Sequence, residues 1–553
     1  MENDRMKFTK LAIKSVIVLA IALSPLAAVS GQGTGLPGSS WWTSFQVQNV
    51  STSSGSLQIS AYTQDSTTSA TYASGQFTIP AGGGLTYNPG FGPSYSTGGN
   101  RIGFCPTVST CASATDDTLP TGFSGAVVAS ADVNIVAVAS VNNSLNGTVG
   151  NASGKAAGNY AGVSAPASQL LFPVSKSNFG GNTVAYFVQA AGVDASVTIT
   201  YTMNDGSTHT ESATIGANRM HLFDPANASP VVASSSCGSA VTSPCLGSAV
   251  VVATSGQIAG VALEFPEAPS GGFAKILGAS RGFVPNDYST TILAPVFKND
   301  FPNATSGNFS GWSLQNTANV TATVNVTFTV SGGTEAAGMV HTQQVQIGPN
   351  AQTTLSKFRN NIGGLPTGNV ASAIATSDQP LVAISNESNS NATATAYLAT
   401  YNCFTPGGAT VKAAAPLVKE YFPGGISAAS KNGTSVSVQN AGGANATINV
   451  VYTIIAPAAV AGQVYTVTIG VNKGAGGNTQ LLAPGSAYVF NMVSDPSRAT
   501  RYAAGTGSTG LPPSTGFNAT VSVVSDQKII ALMQEDNKSS APTDLTNYEG
   551  FNQ

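Results

Sequence analysis

Cysteine and histidine are the side chains that most often bind metals or do redox work, and this 553-residue chain has five of one and three of the other. Cys105 and Cys111 share one Gly/Ser/Thr/Pro-rich stretch, and Cys237 and Cys245 share another. Close spacing inside such loops suits small loop-stapling disulfides in an oxidising compartment. Neither pair has the short C-x₂₋₄-C spacing of a zinc ligand set, and no histidine lies close by. Cys403 has no partner in sequence and reads as a buried thiol. His209, His221 and His341 are not at i, i+4 spacing, so no metal or cofactor is expected.

The carboxylates are weak candidates too. Asp116-Asp117 and Glu535-Asp536 are the places where calcium would be sought. Calcium needs six or more oxygens, however, and no D-x-D-x-D-G run is present, so solvated loop carboxylates are expected. A carboxylate pair for glycoside hydrolysis would have to meet in space. The acidic positions show no evident repetition along the chain and sit mostly in turn-like segments, so the expectation is a protein that is not an enzyme. No G-x-S-x-G elbow occurs. "GTGSTG" (505–510) precedes a strand pattern instead of opening a helix, so it reads as a loop. "LPPSTG" (511–516) has one residue too many for a sortase signal and a long chain after it. Trp41, Trp42 and Trp312 each begin a strand pattern and read as core or edge plugs, with sugar stacking as the sharper alternative.

Asn-x-Ser/Thr triplets are frequent. Asn142, Asn303, Asn319, Asn325, Asn391 and Asn445 are candidates for N-glycosylation. A chain this rich in Asn, Ser and Thr also makes such triplets by chance.

Only 8% of the residues are charged, against about 25% in an ordinary soluble domain, and the net charge is −3. That balance gives no electrostatic case for nucleic acid. Solubility has to come from hydroxyls and amides. The 61 glycines suit short strands and many turns.

The N-terminus has the form of an export signal. Lys7, Lys10 and Lys14 precede the apolar run from Val16 to Leu23, followed by small residues to Ser30. Cleavage between Ser30 and Gly31 is expected, with an uncleaved anchor as the alternative. The remainder would be secreted or on the cell surface, with no membrane span after cleavage.

The elements that would position any site repeat. Gln48, Gln189, Gln315 and Gln439 end similar strands, "WWTSFQVQN", "VAYFVQA", "GWSLQN" and "TSVSVQN". Pro173, Pro295 and Pro416 mark "LFPVSK", "LAPVFK" and "AAPLVK". Both markers give a domain-sized period of roughly 120 to 140 residues. After each Gln strand comes a period-two alternation: Val197, Ile199, Tyr201; Val324, Val326, Phe328; Ile448, Val450, Tyr452. Such strands are half-buried. In the first copy Leu57 and Ile59 are followed by Ala61 and Tyr62, where a bulge is expected to return the aromatic to the core. "SADVN", "SGQIA", "SDQPL" and "SDQKI" read as turns, with Asp bonding its own backbone.

The expectation is an all-β chain of four tandem antiparallel β-sandwich domains after a signal peptide. The segments are 1–30 (signal), 31–40 (tail), 41–168, 169–290, 291–412 and 413–553, the last four being units one to four. On "VQN", "APLVK", "SDQP" and "YEGF", the chain resembles secreted prokaryotic surface proteins with tandem immunoglobulin-like or fibronectin-like repeats. This likeness implies the sandwich fold and carries no activity with it.

The expected function is structural: a surface spacer, coat or stalk of units in semi-rigid linear order, with self-assembly by strand addition as one mode. The alternative is a carbohydrate- or protein-binding adhesin using the variable loops of units one and two, and an extracellular glycan-acting enzyme comes third. Partners would be further copies of the chain, other surface proteins or glycans. One problem stands out: three Pro-x-x-Lys strands serve four units, so one unit is short of a strand.

Overall fold

Alternating β-branched and hydroxyl residues bury one face and leave the other to water. In the computed structural model of the chain, Val197, Ile199 and Tyr201 are buried along Ala195–Met203, with half-buried threonines between them. Val324, Val326 and Phe328 do the same along Ala322–Gly333, and Ile448, Val450 and Tyr452 along Ile448–Ala456. The structure describes residues 15–21 and most of 41–552. The longer stretches left out are 88–103, 106–118, 144–155, 233–242, 267–276, 390–397, 421–431, 470–480, 491–502, 505–515 and 538–544.

The strands form antiparallel sheets that follow one plan along the chain. In unit two, one sheet runs Gln169–Lys176, Leu246–Ser255, Ala195–Met203, Thr208–Ile215. Its mate runs Met220–Phe223, Asn182–Ala190, Ile258–Pro266, Gly278–Arg281. Units three and four replace the two middle strands with one long strand each, Asn369–Asn389 and Phe517–Asn537, which join the counterparts of both sheets into one seven-stranded and one nine-stranded sheet. No α-helix occurs among the described residues; the helical pieces are short 3₁₀ turns such as Pro285–Asp287 and Pro406–Gly408. No helix is long and apolar enough to cross a membrane.

Three expectations are corrected. Gly55–Thr63 pairs with Gly125–Ala131 in unbroken register, so the first unit has no bulge there, and Tyr62 points away from the core half-buried. The Asp of the expected turn bonds a neighbouring strand. Asp378 Oδ1 accepts the Thr323 N–H at 2.8 Å and Asp526 Oδ1 the Thr447 N–H at 2.8 Å. Asp132 Oδ1 accepts the Ser56 N–H at 2.6 Å, and in unit two Ser255 Oγ accepts from Ser196 N at 3.1 Å. The Asp therefore fixes where the alternating strand begins.

The third correction concerns the linear order. The chain returns on itself, and the first and last units touch. Thr520 Oγ1 donates to the Gly82 carbonyl at 3.0 Å, and Gln46 Nε2 donates to the Pro416 carbonyl. The four closing strands, Ala156–Ala161, Gly278–Arg281, Leu398–Asn402 and Leu545–Glu549, pack on one another in cyclic order.

Candidate functional site

The strand that opens each sandwich explains the repeated Pro-x-x-Lys. Gln169–Lys176, Ser289–Asn299 and Thr410–Glu420 pair with the strands beginning at Leu246, Asn369 and Phe517. Each therefore belongs to the unit that follows it. Their registers skip at Phe172/Ser175, Ala294/Phe297 and Ala415/Val418, so each Pro and its successor form a bulge. Proline cannot donate to a ladder, and a bulge is where a sheet tolerates it. The bulge frees one buried carbonyl, and a tyrosine hydroxyl meets it in all three units. Tyr186 Oη donates to Val174 O at 3.0 Å, Tyr401 Oη to Val296 O at 2.7 Å, and Tyr548 Oη to Leu417 O.

The lysines end in ion pairs: Lys176 with Glu264, Lys298 with Glu387 and Lys419 with Glu535. The three glutamates are equivalent. They lie opposite Val184, Ser310 and Thr434, each five residues before the Gln of its strand. The acidic positions are thus repeated after all, and Glu535 serves a lysine. Two of the carboxylates also bind the next unit. Asn386 Nδ2 donates to Glu264 Oε2 at 3.3 Å, and Gln534 Nε2 to Glu387 Oε2 at 2.9 Å.

Unit one breaks the rule in an informative way. The position opposite Thr43, five before Gln48, is Val141, which is fully buried. Neither half of the ion pair is present. The place of the opening strand is taken by Ser15–Ile21, from within the apolar N-terminal run, in seven-residue antiparallel register with Gly125–Ala131 and without a bulge. Each opening strand also packs on the next unit in cyclic order. Gln169–Lys176 meets Asn308–Asn316, Ser289–Asn299 meets Asn432–Asn440, and Thr410–Glu420 meets Trp41–Asn49. Ser15–Ile21 completes the cycle by meeting Asn182–Ala190.

The Gln-Asn signature has a local role. Asn316 Nδ2 donates to Val320 O at 2.6 Å and Ile347 O at 3.2 Å, while its Oδ1 accepts from Ala318 N at 2.9 Å. Asn49 and Asn440 repeat this staple. A polar side chain buried in this way holds the turn and needs no ligand.

The residues singled out in the sequence are placed as follows. Trp41 and Trp312 are buried, and Trp312 Nε1 donates to the Cys403 sulfur at 3.1 Å. Cys403 is a free, buried thiol, and burial pushes its pKa well up. Cys245 is buried, while Cys111 and Cys237 lie outside the described residues, so neither cysteine pairing, Cys105 with Cys111 or Cys237 with Cys245, is described. His209 sits between Pro230 O at 2.7 Å and Ser207 Oγ at 3.1 Å, and His341 Nε2 meets Glu335 Oε2 at 2.7 Å. His221 lies against the Phe223 ring, and burial lowers its pKa. Among the described residues no three His, Cys, Asp or Glu side chains gather to hold a metal ion. Asn319, Asn325 and Asn445 are exposed and Asn142 is half-buried; Asn303 and Asn391 lie outside the described residues, as do Asp116, Asp117, Ser30 and Gly31.

No family model matches the chain, and no curated protein does. Among solved structures, Thermotoga maritima 1070 is 17% identical over 21% of this chain and 91% of that one, with a TM-score of 0.17. A tetra-tandem repeat in the extending region of a large adhesion protein is 13% identical over 91% of this chain and 92% of that one, with a TM-score of 0.10. Likenesses of this size leave function to be argued from the chain's own residues.

Proposed function

We propose that the protein is a non-enzymatic structural component of the cell surface, a coat or spacer unit, whose first sandwich takes a strand from a second molecule. The observation that carries this reading is the place of Ser15–Ile21. The run that reads as an export signal occupies the opening position that each later unit fills for itself. Export by either route, with cleavage after Ser30 or with the run held in a membrane, takes that strand away. Gly125–Ala131 is then left with a bare edge beside an apolar groove, the arrangement that strand addition completes.

The groove favours one kind of occupant. With Val141 where the other units have glutamate, a Lys-bearing strand would bury an unpaired ammonium, whereas an uncharged apolar strand fits. The C-terminal residues are not the donor, because Leu545–Glu549 and Phe551–Asn552 already pair within unit four.

Light scattering of residues 31–553 against the full chain tests this, together with binding of a synthetic peptide of residues 13–23. The reading expects concentration-dependent assembly of 31–553, reversed by the peptide, and a monomeric full chain. A 31–553 chain that stays monomeric and ignores the peptide overturns it. One that stays monomeric yet binds the peptide keeps the acceptor and moves the donor to another protein.

A further inference from the structure

In unit two the lysine–glutamate pair has a third member. Asn182 Nδ2 donates to Glu264 Oε1 at 3.2 Å, the same oxygen that receives Lys176 Nζ. An amine and a carboxamide are thus held side by side on one carboxylate. Asn386 Nδ2, from unit three, donates to the other oxygen at 3.3 Å and fixes the orientation of the carboxylate. The lysine and glutamate side chains are only 16% and 6% exposed. Beside Glu264 a small cavity is walled by Phe172, Val174, Val184 and Ala262, so the surroundings are largely apolar.

The chain between the two nitrogen-bearing side chains is shaped to keep them together. Gly180 and Gly181 have φ of 60° and 84°, a left-handed bend that residues with a Cβ resist. The bend is closed by the Asn182 N–H on Phe179 O at 3.1 Å and the Asn178 N–H on Thr183 Oγ1 at 3.0 Å. The residue types also travel together along the sequence. Asn308 and Asn432 hold the register position of Asn182, each two residues before the one that faces the glutamate. Unit one, which lacks both lysine and glutamate, has Trp41 at that position. An ion pair alone does not call for an asparagine there.

We propose that Lys176 and Asn182 become joined by an amide bond between Nζ and Cγ, with Glu264 as the proton carrier. Lys176 passes one proton to Glu264 Oε1, and the free Nζ adds to Asn182 Cγ. The Cγ–Nδ2 bond then breaks as Glu264 delivers that proton to Nδ2, and ammonia leaves. The second proton shed by Nζ as the amide forms returns to Glu264, which ends as a neutral acid. Neutrality suits a buried carboxyl group that has lost its lysine. No oxidant or further reactant is needed, and the reacting groups are neighbours before they react. The bond fastens the opening strand of unit two to Asn182–Ala190 of the facing sheet. It is independent of how unit one obtains its own opening strand.

Tryptic mapping of the denatured full chain by mass spectrometry tests this, because an acylated lysine is no longer a cleavage site. An unlinked chain is cut after Lys155, Lys176 and Arg219, giving peptides 156–176 and 177–219. The bond gives one peptide, 156–219, lighter than its sequence by one ammonia. Asn182→Ala and Glu264→Gln each restore cleavage after Lys176 and the full mass. The native chain decides the matter even if both variants fail to fold. Two separate peptides from it, an uncut peptide of full mass, or Lys176 joined to Asn386 instead, overturns the proposal. A linkage that persists in folded Glu264→Gln overturns the role given to Glu264.

Discussion

Lys298 and Glu387 lie 89 residues apart in sequence and meet as an ion pair at the edge of unit three, with the carboxylate 1% exposed. Removing one partner of a buried pair leaves a charge without compensation, which costs about 3–5 kcal/mol, while replacing both with apolar side chains costs far less. Glu387→Gln should therefore destabilise unit three by about that amount, and Lys298→Met with Glu387→Leu by clearly less than either single change. Urea unfolding followed by the fluorescence of buried Trp312 reads both. Additive losses would show that the two residues do not act as a pair.

Tyr401 holds the carbonyl that the Pro295 bulge releases. Tyr401→Phe keeps the ring in the core and removes only the donor, so an unpaired carbonyl remains. The expected loss is about 1–3 kcal/mol in the same unfolding experiment. A change below about 0.5 kcal/mol, the size of an ordinary surface substitution, would mean that the bulge does not depend on this bond.

Glu211 gives unit two a pH dependence. Burial pushes its pKa from 4.5 up to about 7, against the pull of the Asp224 N–H that it accepts at 3.2 Å. An acid whose pKa is raised on folding favours the folded state in its protonated form. Its contribution is complete below about 4.5 and is lost as the pH rises through about 7. Melting temperatures across that window should fall for the native chain, and Glu211→Gln should flatten the slope. An unchanged slope in the variant would assign the pH dependence to another group.

Much of the fold was legible because local patterns carried it. The alternation from Val197 to Tyr201 and the recurring Gln-Asn fixed strand type and order, and the structure buries those residues as expected. The Glu partners of the lysines were not legible. "LEFP", "SNES" and "MQED" share no flanking pattern, and each Glu stands some ninety to a hundred and twenty residues from its lysine. Tyr62 stays off the core because the strand keeps its register and Ala61 takes the core face, so no bulge is needed. The closing strands recur visibly in sequence, in the frames around Tyr160, Arg281, Tyr401 and Tyr548, but their meeting at one place was not legible, because only the return of unit four to unit one brings them together.

Residues 31–553 alone should leave the edge of Gly125–Ala131 open, and amide hydrogen exchange along that strand reads this. In the full chain the strand should exchange as slowly as its counterpart Leu246–Ser255. In diluted 31–553 its slot-facing amides should exchange fast and slow again when a second molecule or the 13–23 peptide is supplied. Equal protection of both strands in a dilute, monomeric 31–553 chain would mean that no open edge exists.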